Sequence, residues 1–146
     1  MTSIPVVVDT NVFVGALKGE GGANRRIIRL CLEEKLAPLM GVALFAEYES
    51  LLSRKDLFLD CPLDKGERNE LLDAFLSDCR WVSVYFLWRP NLPDETDNHL
   101  VELAAAGGAC VIVTNNIRDF KGEHMDFLNI RALTPGTFIK ELEASA

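Results

Sequence analysis

The chain carries only two histidines, His99 and His124, so a histidine-rich zinc site is not expected. Its four cysteines, Cys31, Cys61, Cys79 and Cys110, are widely scattered and form no C-x-x-C pair. They read as reduced core or surface thiols of a cytoplasmic protein, since a domain of this size needs no disulfide framework. No apolar run approaches the roughly 18 residues of a membrane span, and no basic segment followed by an apolar block opens the chain. Neither a membrane partner nor a secretory signal is therefore expected. Repeats, low-complexity runs and linkers are also lacking, so the 146 residues are expected to form one domain spanning 1–146. A chain of this length buries about two-thirds of its unfolded surface.

Positive charge is scarce. Lysine and arginine number 15 against 22 aspartates and glutamates, for a net charge of −7. That balance argues against a broad basic surface gripping nucleic acid. It is compatible with clustered carboxylates holding a divalent cation, because such acids contribute to the charge. With so few histidines, a metal on oxygen ligands such as Mg²⁺ or Mn²⁺ is the expected kind.

What is present is organised around the opening stretch Ile4-Pro5-Val6-Val7-Val8-Asp9-Thr10-Asn11. Consecutive β-branched valines predict a strand buried on both faces of a parallel sheet. Ligands of open α/β sheets gather at the carboxyl ends of such strands, which is where Asp9 falls. Asp9 is equally well placed to cap the helix that follows, predicted over residues 10–17 from Val12, Phe13, Ala16 and Leu17. After a glycine-rich break, a second helix is predicted over 23–35. Arg25, Arg26 and Arg29 lie beside its apolar face as the densest basic patch, either a solvated face or a phosphate contact.

Residues 37–41 predict a second strand despite Pro38, and 42–54 a helix with Leu44, Phe45, Tyr48, Leu51 and Leu52 on one face. Glu47 and Glu49 flank that stripe on opposite sides, and the helical period does not choose between them. A loop is expected over 56–65, a helix over 66–78, a third strand over 81–87 and a proline-stiffened connector over 89–93. The polar run Asp94-Glu95-Thr96-Asp97-Asn98-His99 opens a helix to about residue 106. Leu100, Val101, Leu103 and Ala104 define its apolar face, and Asp97 sits on that face, whereas Asn98 and Glu102 fall on the wet side. A carboxylate heading a buried stripe is costly unless it is paired, capping or metal-bound. Asp94 can serve as the cap and leave Asp97 for another role. Gly107-Gly108 ends the helix. Residues 109–113 predict a fourth strand, which ends in Thr114-Asn115-Asn116-Ile117-Arg118-Asp119 and so repeats the design of the opening. A short strand over 129–133 and a helix capped by Thr134, with Pro135 at its first position, complete the chain.

Alternation of strands and helices implies an α/β protein with a mainly parallel five-stranded sheet and helices on both faces, a three-layer α/β/α arrangement. Acids recur after strand one (Asp9), on the helix after strand two (Glu47), at the head of the helix after strand three (Asp97) and after strand four (Asp119). That order resembles the PIN domain, as do the words Val7-Val8-Asp9-Thr10-Asn11-Val12-Phe13, Glu47-Tyr48, Asp97-Asn98-His99-Leu100-Val101-Glu102-Leu103-Ala104 and Ile112-Val113-Thr114. The resemblance extends over nearly the whole chain and is greatest to the toxin components of toxin–antitoxin systems related to VapC ribonucleases. It implies a Mg²⁺- or Mn²⁺-dependent endoribonuclease of the cytoplasm with RNA as substrate, a cognate antitoxin and a homodimeric state. Carried over residue by residue, Asp9, Glu47 and Asp97 match the first three acids of the family, and the match selects Glu47 over Glu49. The chain departs from the pattern at the fourth, where Asn116 holds the acid's usual place and Asp119, three residues on, stands in for it. The implied catalytic set is Asp9, Glu47, Asp97 and Asp119, with Asp9, Asp97 and Asp119 on the metal. Thr10, Asn11, Asp94, Thr114 and Asn116 are supporting polar residues, and Arg25, Arg29, Arg118 and Lys121 are candidate RNA contacts.

Two other readings stand beside this one. A non-catalytic PIN-like nucleic-acid- or protein-binding domain is favoured by Asn116. An aspartate-nucleophile phosphatase also places Asp after strand one. Phosphatases resembling the haloacid dehalogenase type carry a second Asp two residues later, where this chain has Asn11, and no well-placed lysine follows its later strands.

Overall fold

The computed structural model of the protein describes residues 3–84, 98–120 and 128–145, the side chains of Asn98 and Asp119 excepted. Strand β1 (Ile4–Val8) leads through Asp9 into helices α1 (Thr10–Lys18) and α2 (Gly22–Leu32). Strand β2 (Leu36–Met40), helix α3 (Val42–Leu52), helix α4 (Lys65–Asp78) and strand β3 (Arg80–Trp81) follow. Helix α5 (Asn98–Gly107), strand β4 (Val111–Val113), strand β5 (Arg131–Leu133) and helix α6 (Pro135–Ser145) complete the described elements. All strand pairs are parallel, in the order β3-β2-β1-β4-β5.

The order has a direct consequence for any site. From β1 the chain builds outward through β2 to β3, then crosses back to lay β4 on the other side of β1, with Val8 opposite Val113. The carboxyl ends of β1 and β4 therefore flank the point where the strand order reverses, the usual location of ligands in such sheets. Helix α5 packs over β1, β2 and β4 on one side, while α2 gathers α1, α4 and α6. These groups form the outer layers of an α/β/α sandwich. Val6, Val7 and Val8 are fully buried at the centre, as their β-branched run predicts.

Local differences from the sequence pattern have physical causes. The third strand starts at Arg80 and pairs only to Trp81, because its partner β2 ends at Met40 where Gly41 turns the chain into α3. Val82 still donates one backbone hydrogen bond to Met40, and residues 85–87 lie outside the described residues. Pro38 is accommodated in an internal strand because β3 reaches only as far as Leu39, leaving the proline where that side of β2 is unpaired. Asp64 and Glu67 form a reciprocal capping box that starts α4 one residue early. A single 3₁₀ turn, Asp56–Phe58, buries Phe58 within the expected loop, and Arg68 covers its ring. Glu102, expected on a wet face, is 6% exposed. Packing of α5 against strands on one side and α3 on another encloses most of that side chain.

The third helix is tied to the end of β1 by its own side chains. Tyr48 Oη donates to the Val8 carbonyl at 2.8 Å. Its ring packs edge-on against Phe13 with centroids 5.6 Å apart, and Phe75 closes the cluster. Burial pushes the Tyr48 hydroxyl well above its ordinary pKa, so it remains a donor. Tyr48→Phe should keep the ring packing but cost about 1–2 kcal/mol, seen as a lower urea midpoint with an unchanged slope. An unchanged midpoint would mean that this hydrogen bond does not hold α3 in place.

Candidate active site

Asp9 follows β1 directly and occupies the N-cap position of α1 with extended backbone, yet its side chain makes no cap hydrogen bond. It turns instead toward β4. Thr114 Oγ1 donates to Asp9 Oδ2 at 2.8 Å, and Asn11 Nδ2 approaches the same oxygen at 3.3 Å. Of the two roles open to Asp9 in the sequence, helix capping is thus not the one its carboxylate performs. Thr114 is completely buried and in turn accepts from the backbone N–H of Asn116 at 3.0 Å. Asn11 Oδ1 accepts from the backbone N–H of Asn115 at 3.1 Å. The polar turns after β1 and β4 are therefore stitched to each other.

The second acid arrives from α3. Thr10 Oγ1 donates to Glu47 Oε1 at 2.9 Å and lies 3.4 Å from Asp9 Oδ1, so one hydroxyl stands between the two carboxyl groups. Glu47 neighbours Tyr48, which is anchored to Val8, and this fixes which flank of α3 faces the sheet edge. Glu49 is exposed on the other flank. The ambiguity left by the helical period is resolved in favour of Glu47 at this location. Glu47 Oε2 meets His99 Nε2 at 3.0 Å. Among the described residues the buried Nδ1 of His99 has no hydrogen-bond partner.

The other expected residues are placed as follows. Asp94, Asp97 and Lys121 lie outside the described residues, and for Asp119 only the backbone is described, in a 3₁₀ turn (Ile117–Phe120). Asn116 is exposed and reaches the cluster through its backbone. Arg25 Nε caps the end of α1 at the Ala16 carbonyl, and Arg26 pairs with Glu143, whereas Arg29 and Arg118 are exposed. Sequence reasoning missed His99, Asn24 and the role of Asn115. Asn115 Nδ2 donates to Asn24 Oδ1 at 3.0 Å, and Asn24 packs in the space left by the missing side chain of Gly15. None of the three belongs to a periodic pattern, so no sequence signal marked them.

The electrostatics single out Asp9. Burial raises its carboxyl above the ordinary carboxylate range, the hydrogen bond from Thr114 opposes this, and the nearby Glu47 charge raises it again. Among the described residues the influences that favour the charged form are hydroxyls and a backbone amide, with no cation. The donors gathered here are carboxylate, hydroxyl and carboxamide oxygens, the hard set that suits Mg²⁺ or Mn²⁺ rather than a thiophilic metal. The described residues contain no group of three or more acids, histidines or cysteines arranged to hold a metal. Asp9 and Glu47 are the described part of the acid set, and Asp97 and the Asp119 side chain lie beyond it.

Because folded Asp9 holds its proton more tightly than the unfolded chain does, the stability linked to that proton is present below the ordinary aspartate range. It is lost as pH rises through the raised value. In metal-free buffer, Asp9→Asn should therefore melt at a higher temperature than wild type at about pH 7. The difference should shrink toward about pH 3, where aspartate is largely protonated in both states. A variant less stable at neutral pH would contradict the assignment of burial as the dominant influence.

Comparison with known proteins places this arrangement. The family model of the PIN domain matches residues 5–118. An uncharacterized protein of Methanocaldococcus jannaschii is 29% identical over 156 residues, covering 96% of this chain and 92% of the relative. The crystal structure of VapBC2 from Rickettsia felis, bound to a DNA fragment from their promoter, contains a chain with TM-score 0.58 and 17% identity. That match covers 90% of this chain and 98% of the other, and at this identity it shows a shared fold. With the parallel sheet, the acid after β1 and the matched span all in agreement, the chain belongs to the PIN domain family.

Proposed function

We propose that the chain is a Mg²⁺- or Mn²⁺-dependent endoribonuclease and the toxin of a toxin–antitoxin pair. The observation that carries this reading is the convergence of Asp9 and Glu47, from different elements, on one hydroxyl at the switch point of the sheet. Membership of a family whose members are generally nucleases supports the reaction class. The fold shared with a chain of the VapBC2 assembly supports an antitoxin partner.

Asp9, Asp97 and Asp119 would hold the cation, which when bound polarises a phosphodiester and lowers the pKa of an attacking water. Thr114 and Asn11 orient the Asp9 carboxylate, and Thr10 and His99 fix Glu47 through both of its oxygens. Water between these groups would be limited, since Asp9 is 5% exposed. RNA contact falls to the exposed Arg29 and Arg118, because Arg25 and Arg26 already serve α1 and Glu143. A homodimer would join two such sparse patches along one groove and so partly offset the acidic surface.

A non-catalytic PIN-like binding domain is the second reading, favoured by the amide Asn116 at the family's fourth acid position. RNA cleavage in Mn²⁺ separates the two. Wild type should cleave, and Asp9→Asn and Asp97→Asn should each be slower by at least about 100-fold. Asn116→Asp should equal or exceed wild type. Equal cleavage by all of these proteins would remove the acid cluster from the mechanism, and no cleavage by any would favour the binding domain.

A further inference from the structure

A cavity of about 590 Å³ lies next to the acid pair, between the start of α3, the segment after β3 and the body of α5. Its size falls within the ~300–1,000 Å³ of small-molecule sites. Its rim is apolar and open to water. Val42 is 84% exposed, Trp81 52% and Val84 38%, an unusual concentration of apolar surface for an acidic chain. Leu103 forms part of the wall, and the polar side chains that line it among the described residues are Ser83, His99 and Glu102. His99 is shared, since it lines the cavity and contacts Glu47 Oε2 at 3.0 Å. The cavity and Glu47, one of the proposed catalytic acids, thus share His99 between them.

We infer that this cavity is a nucleobase subsite, taking one unpaired base of the RNA next to the scissile phosphate by stacking on Trp81. The inference rests on the nuclease reading for the identity of the ligand. Three observations favour a base over other parts of a nucleic acid. The half-exposed indole supplies a stacking platform, and the edge contact with Phe45, centroids 5.4 Å apart, holds it in place. The apolar rim suits a flat aromatic group, and no lysine or arginine among the described lining residues offers a phosphate a charge partner. The Glu102 carboxylate on the wall adds negative charge there, which disfavours a phosphate. For a chain with net charge −7, stacking also supplies affinity that phosphate neutralisation cannot.

The test separates base binding from cleavage. The chain has two tryptophans, so Trp88→Phe leaves Trp81 as the sole indole. Titrating this variant with short non-cleavable 2′-O-methyl RNA should quench its fluorescence saturably, and the same oligonucleotide with abasic positions should not. Trp81→Ala should weaken oligonucleotide binding and raise the KM for cleavage by about tenfold with kcat little changed, while Trp81→Phe should retain most of both. Val42→Asp, which places a charge on the rim without touching the core, should act like Trp81→Ala. Cleavage that persists with no quenching and an unaltered KM in Trp81→Ala and Val42→Asp would overturn the subsite and leave the nuclease reading intact. Quenching without cleavage would keep the subsite and remove the nuclease. Neither binding nor cleavage would overturn both.

Discussion

A carboxylate buried at the edge of a parallel sheet is the constraint on which the rest of the structure depends. Charge at such a place is costly unless hydrogen bonds or a cation compensate it. Asp9 obtains a 2.8 Å hydrogen bond from Thr114, which is 105 residues away in sequence and adjacent only because β4 crosses back to pair with β1. The topology of the sheet and the environment of the acid are therefore one requirement. The same turn starts α1, so Thr10 is fixed beside Asp9 and can reach Glu47. Helix α3 is in turn held by Tyr48 on the Val8 carbonyl, one residue before Asp9. Each link uses the preceding one, and each brings a further polar group toward the same edge.

Burial is what hydrophobic periodicity reports, and the parts of the fold that depend on burial alone were legible. The valines of β1, Ile112 and Val113 of β4 and the stripe Leu100, Val101, Leu103 and Ala104 are all in the core. Periodicity describes a helix with one neighbour, and where a helix has two it misleads. Glu102 is buried because α5 meets both the sheet and α3. Glu47 and Glu49 are equivalent about their own helix axis, and only the tertiary contact of Tyr48 distinguishes them. The family resemblance selected the same residue by a different route. His99 was invisible for a related reason: its contact with Glu47 spans two helices and leaves no local pattern.

The distribution of charge follows from the same economy of groups. Two of the three arginines on α2 are engaged within the protein, one at the end of α1 and one with Glu143. What remains exposed is too sparse for a conventional nucleic-acid surface. An aromatic group at the mouth of a cavity beside the acids, a shared histidine wall and an electropositive ion would together bind a single strand without one. The amide at position 116 fits this picture through its backbone, which supports Thr114 whatever side chain it carries.

The central claim is that the Asp9 cluster is a divalent-cation centre and not merely a hydrogen-bonded turn. Calorimetric titration of the metal-free protein with Mn²⁺ tests it most directly, compared with Asp9→Asn, which keeps the side chain's shape and removes its charge. The account predicts a saturable heat for wild type and its loss in the variant. Equal Mn²⁺ binding by both proteins, or none by wild type, would contradict it.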